Sequence, residues 1–265
     1  MYEKALLTTN RNFIRFFMAG HSKFKNIMHR KGAQDKKRAK TFSRLGKEIS
    51  VSVKIGGADP ESNIRLRSAI NEAKSLNMPK DNIERAIKNG EGTDPNSNYE
   101  EVRYEGYGPS GVAIIIDAMT NNKNRTASEI RSTFSKYGGS LGETGSVSYN
   151  FNRLGIITLK KKTTEEELFE FVIENGSIDF DATDDEFIIY CESNDLHALN
   201  NKIINRFNDF TTAQLVWKSD VCVNVQKDNA EKLFKLLNVL EENEDVQNVS
   251  SNFEVSEEII NELTN

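Results

Sequence analysis

The chain has 265 residues, 37% hydrophobic and 28% charged, a globular composition that leaves room for one to three domains and argues against a disordered chain. No stretch approaches the roughly 18–20 consecutive apolar residues of a membrane helix. Its two cysteines, Cys191 and Cys222, form no CxxC and have no metal-ligand spacing with His21, His29 or His197. The formal charge of −5 conceals a division, since residues 1–90 carry 20 Lys/Arg against 8 Asp/Glu and residues 91–265 carry 15 against 32.

Residues 1–17 hold Lys4, Arg11 and Arg15 with a cluster of phenylalanines but no secretory cleavage pattern. They read as an N-terminal extension or a short organelle presequence, with Met18 as the expected ordinary start. From 18 to 54 the chain has 11 Lys/Arg and only Asp35 and Glu48 against them. Phe42, Leu45, Ile49 and Val53 then fall at helical spacing, and Gly56-Gly57 ends that helix. Asp59 and Pro60 are expected to start a second helix with a stripe of Leu66, Ala69, Ile70 and Ala73. Pro79 starts a third that Gly90 closes. Residues 18–92 therefore read as a basic helical bundle, followed by a linker at 91–99.

Beyond the linker the period changes from 3.6 to 2. One βαββαβ cycle is expected inside 154–218: strand 156–160, helix 164–174, strands 178–181 and 187–191, helix 195–207 and strand 213–217. Its flanks supply another set: strands 112–117, 146–151, 221–226 and 246–253, with helices 125–136 and 230–242. The architecture inferred is α+β, an N-terminal helical bundle followed by two ferredoxin-like domains, the second inserted into the first. The split domain takes 100–153 plus 219–256 and the insert takes 154–218.

The GxGxxG at 106–111 precedes a strand rather than a helix, so it is a hairpin turn and not a dinucleotide site. Val147, Tyr149 and Phe151 alternate with polar residues, the pattern of a sheet face against its own helices. No nucleophile, paired-carboxylate or metal motif appears. No catalytic residue, cofactor or metal is expected, and the chain is not read as an enzyme. The chemistry lies in the cationic run: Lys23, Lys25, His29, Arg30, Lys31, Lys36, Lys37, Arg38, Lys40, Arg44 and Lys47. Lysine offers phosphate a point charge and arginine a bidentate fork. Such contacts bind polyanions without reading bases, and the plain alternative is a solvated helix face. Lys123 and Arg125, in NNKNR at 121–125, are secondary candidates for a phosphate or partner surface, or simply loop and cap residues.

The segments MAGHSKFK (18–25) and HRKGAQDK (29–36) closely resemble the opening of the YebC family. The resemblance continues through GGADP (56–60), NMPK (77–80), YEGYGP (104–109), NRT (124–126), GGSLG (138–142), GSV (145–147) and VQNV (246–249). Phe24 stands where many members have Trp. That family includes bacterial proteins described as transcriptional regulators and the mitochondrial translational activator of cytochrome c oxidase subunit I. The resemblance implies three domains and a nucleic-acid-binding regulator of gene expression, of the DNA-binding transcriptional type. The alternative it leaves open is a translation factor on rRNA or tRNA, with the acidic body docked on basic ribosomal proteins. A monomer without a membrane association is expected, in the cytoplasm, or in an organelle matrix if residues 1–17 act as a presequence.

Overall fold

A computed structural model describes residues 34–92, 98–183, 185–209 and 211–264. Helix α1 (Gln34–Gly56) buries Leu45, Ile49 and Val53 against Leu66 and Ile70 of α2 (Ile64–Ser75) and Ile83 and Ala86 of α3 (Lys80–Glu91). Fully burying each such aliphatic side chain contributes about 1.5–3 kcal/mol. The second helix starts later than Asp59 and Pro60 suggest. Asp59 instead accepts from the Glu61 amide at 3.0 Å in a turn, and Asn63 caps α2 by accepting from the Leu66 amide at 3.1 Å. Nor does Gly90 end α3. It lies inside the helix, where a Cβ would meet the Ser50 carbonyl at 2.5 Å, so its smallness lets α1 and α3 approach.

The next two strands, β1 (Glu100–Tyr107) and β2 (Ala113–Thr120), form an antiparallel hairpin across the GxGxxG turn. Helix α4 (Lys123–Lys136) follows, with Asn122 as its cap, and then the short strand β3 (Ser140–Leu141). Strand β4 (Phe151–Lys160), α5 (Glu165–Glu174), β5 (Ser177–Ala182), β6 (Glu186–Glu192), α6 (Leu196–Phe207) and β7 (Thr211–Ser219) make a second antiparallel sheet of order β5-β6-β4-β7. That is the βαββαβ arrangement, with Ile157, Leu159, Phe187 and Ile189 under α5 and α6. The chain returns through β8 (Val223–Asn224), α7 (Lys227–Glu242), β9 (Val246–Ser251), β10 (Phe253–Glu254) and α8 (Glu257–Thr264). The first sheet has the order β3-β1-β2-β9, and Ile114, Ile116, Ile130, Phe134, Leu233 and Leu237 fill its helix-covered side.

The fold class is α+β, helices followed by two sheet-and-helix units. Its strand membership differs from expectation in two places. The strand expected at 146–151 does not form; only Phe151 is extended, as the first residue of β4. Ser148–Asn150 form a 3-10 turn with Tyr149 74% exposed, while Val147 and Phe151 pack on Ala113 and Ile115 of the sheet. Val147, Tyr149 and Phe151 alternate in the sequence as a strand does, but the turn throws Tyr149 away from the side that buries the other two. The 221–226 strand shrinks to β8, which pairs in parallel only with β10 and stays out of the four-stranded sheet. Its place is taken by β1.

Candidate nucleic-acid interface

Of the cationic run, Lys23, Lys25, His29, Arg30 and Lys31 lie outside the described residues. The backbone of Lys36 and Lys37 belongs to the first turn of α1, and their side chains are outside the description. Arg38 is exposed, its guanidinium 5.2 Å from the centre of the Phe42 ring.

Lys40, Arg44 and Lys47 follow one another at i, i+4 and i+7, on the side of α1 opposite its apolar stripe. That side faces the α+β body. Lys40 donates to the Glu241 carbonyl, and Arg44 donates at 3.0 Å to both the Glu241 and Val246 carbonyls. Lys47, only 8% exposed, donates to the Glu244 carbonyl at 2.8 Å and to Asp245 Oδ1 at 2.7 Å. These carbonyls belong to the last turn of α7 and the chain just beyond it. The negative end of a helix lacks internal donors there, and cations satisfy it. The three residues expected at a phosphate surface are thus drawn inward, and Lys47 in particular has no face left for a polyanion. Burial, then the neighbouring Arg44, lowers the Lys40 pKa to about 8.

Asp245 ties the seam together. Besides Lys47 it receives Arg125 Nη2 at 2.7 Å and the Thr126 hydroxyl at 2.7 Å, with Thr120 Oγ1 at 3.0 Å. Burial would push this carboxyl up, but Lys47, Arg125 and Thr126 more than reverse that and hold it well below the usual carboxylate range. Arg125 is therefore engaged within the chain, and Lys123 pairs with Glu100 at 2.6 Å. In the helical unit the exposed cations with no ion pair or hydrogen bond among the described residues are Lys74, Arg85 and Lys88.

Beside this seam lies a cleft of about 820 Å³ where the helical unit meets both sheets. Its floor is the helix-free side of the first sheet, with Arg103 opposite Asp117 in the β1–β2 register. Arg65 of α2 spans it, bonding Glu48 at 2.6 and 3.0 Å and reaching Glu101 of β1 at 2.5 Å. Trp217 of β7 has the guanidinium groups of Arg103 and Arg153 at 4.1 and 5.6 Å from its ring centre, and donates its indole N–H to Asp117 at 3.1 Å. Burial raises the Asp117 pKa against the pull of those arginines. Glu72 has no donor to its carboxylate among the described residues. Burial, with Glu48 nearby, lifts it to about 7. Burial, then Arg65, lowers the pKa of His197, whose Nδ1 lies 3.2 Å from the Ser68 hydroxyl. The cleft is internally charge-balanced, with its arginines already committed to carboxylates, carbonyls and the indole.

Sequence reading did not find this cleft. Its one local signal was Asp117, a charge within the apolar strand AIIIDAMT. Asp245 had no such signal, because its partners lie 198 and 120 positions away.

The chain is thus a helical unit latched to a pair of α+β units. Residues 22–93 match the model of the TACO1/YebC protein N-terminal domain, and residues 99–253 match that of the TACO1/YebC second and third domain, a model whose label refers to transcriptional regulation. The protein belongs to the TACO1/YebC family. It is also similar to the crystal structure of a conserved hypothetical protein, Aq1575, from Aquifex aeolicus. The two are 45% identical with a TM-score of 0.78, over 83% of this chain and 91% of that one. No described helix is long and apolar enough to cross a membrane.

Proposed function

We propose that this protein is a nucleic-acid-binding regulator of gene expression, a DNA-binding transcriptional regulator of the YebC type acting in the cytoplasm. The observation that carries the reading is the division of charge within one folded chain. A helical unit with exposed Arg38, Lys74, Arg85 and Lys88 sits on a body whose net charge is strongly negative. The cations attract phosphate, and the acidic body keeps the polyanion on the helical side. The same reading makes it a binding protein rather than an enzyme, working without a cofactor.

A second reading, a translation factor on ribosomal or transfer RNA, is favoured by the burial of α1. Its apolar side packs on α2 and α3, and its Lys40–Lys47 side packs on α7. A recognition helix must be free to enter the major groove, whereas phosphate contacts on folded RNA make no such demand.

Sucrose-gradient fractionation at two salt concentrations, with DNase- and RNase-treated controls, separates the readings. Retention on DNA supports the transcriptional one. Comigration with ribosomal particles that survives DNase, and is lost when Lys36, Lys37 and Arg38 become Glu, establishes the second and overturns the first. A protein in neither fraction overturns both.

A further inference from the structure

The inserted unit carries a charge segregation as sharp as that of the N-terminal arm, with the opposite sign. Between residues 163 and 201 there are 12 Asp/Glu and no Lys or Arg. The stretch folds as α5, β5, β6 and the start of α6, so the acid is carried by one helix and one hairpin of a single small unit. Glu170 and Glu174 on α5 are exposed, and Asp179 and Asp181 point to the helix-free side of β5, in register with Tyr190 and Ile188. Among these carboxylates stand two aliphatic side chains left half-exposed. Ile173 is 46% exposed and Ile178 is 49% exposed, on either side of the turn at Gly176. Five residues apart, they offer a small apolar contact within the acidic surface.

The helix-free side of β5 already accepts a cation from within the chain. Lys218 reaches across from β7 to lie 4.6 Å from the centre of the Tyr190 ring and 3.9 Å from Asp179. Strand β5 is also an edge of its sheet.

We propose that the surface formed by the end of α5, the Gly176 turn and β5 docks a lysine- or arginine-rich segment of a partner protein, with Ile173 and Ile178 as its apolar anchor. Carboxylates supply long-range attraction and the isoleucines fix position. Nucleic acid is repelled from this face, so the proposal does not depend on which nucleic acid the helical unit contacts.

The test is titration of the full-length, isotopically labelled protein with a synthetic peptide, KKLRKKLRKKLR, at 0.15 M NaCl, followed by amide NMR. The expected result is saturable shifts confined to residues 170–192. I173S/I178S, which leaves every charge in place, should weaken binding about fivefold or more, and E170Q/E174Q should weaken it at least about threefold. Glu170 and Glu174 are exposed, so E170Q/E174Q should keep the wild-type melting temperature. I173S/I178S should lower it by a few degrees while leaving the protein folded, and a variant that unfolded would be replaced in the comparison by the other. No saturable binding, equal affinity for I173S/I178S and wild type, or shifts centred elsewhere would each overturn the proposal. So would the same amides responding to duplex DNA or oligo(U), or dimerisation through this face with the basic arm of a second copy.

Discussion

Asp245 and Glu72 are two carboxylates at the boundary between the helical unit and the body, and burial acts on both in the same direction. Their outcomes are opposite. Asp245 meets Lys47, Arg125 and two threonine hydroxyls, and its proton is lost far below neutrality. Glu72 meets no donor among the described residues and has Glu48 for company, so it keeps its proton to about pH 7. Desolvation sets the cost of the charge, and the count of donors decides whether the charge survives. One part of the boundary is therefore locked through the neutral range. The other changes its charge there.

Removing the lock should have the largest effect. Asp245→Ala leaves Lys47 buried with carbonyl partners only and takes the shared acceptor from Arg125, Thr120 and Thr126. Breaking a buried pair from one side costs about 3–5 kcal/mol. A loss of that size in urea-unfolding free energy is expected, and a loss below about 1 kcal/mol would show that the seam is solvated and the comparison false.

The cleft should show a smaller effect with a distinct pH signature. A carboxyl whose folded pKa is about 7, against an ordinary 4.5, holds its proton more tightly in the native state. Its contribution is fully present below about pH 4.5 and is lost as pH rises towards 7. Glu72→Gln, which mimics the neutral form, should remove that fall and raise stability at pH 8 by about 2 kcal/mol, while changing little at pH 4.5. Trp217, the chain's single tryptophan, lies against Arg103, Arg153 and Asp117 rather than Glu72, so urea unfolding at each pH is the readout. Parallel pH–stability profiles for wild type and Glu72→Gln would remove Glu72 from the account.

Regular periodicity was legible and distant pairing was not. The stripe of Leu45, Ile49 and Val53 named its helix, and Thr164 marked the start of α5, because each signal is complete within a turn or two. The 3-10 turn at Ser148–Asn150 was missed because three residues cannot show a period, and Val147, Tyr149 and Phe151 alternate with polar residues as a strand does. Asp59-Pro60 mimicked a helix start but serves a turn whose end, Asn63, does the capping. For the site, the density of Lys and Arg in 18–54 was plain, but density does not say which way a side chain points. Lys40, Arg44 and Lys47 turn inward because α7 ends against them, about 200 residues later in the chain.

That division within the basic region gives the smallest expected change in stability and the sharpest test of which cations serve binding. Arg85→Glu with Lys88→Glu alters two exposed side chains that make no pair among the described residues, so unfolding free energy should move by less than about 0.5 kcal/mol. Affinity for a 30-base-pair duplex or a structured RNA should nevertheless fall. The slope of log K against log salt should flatten by about 0.7–0.9 for each phosphate that is no longer neutralised. Lys40→Met should leave that slope unchanged, since its ammonium already faces the Glu241 carbonyl. If instead Lys40→Met flattens the slope and the Arg85/Lys88 pair does not, the helical unit must swing away from α7 to bind, and the latch seen here would be the unbound state.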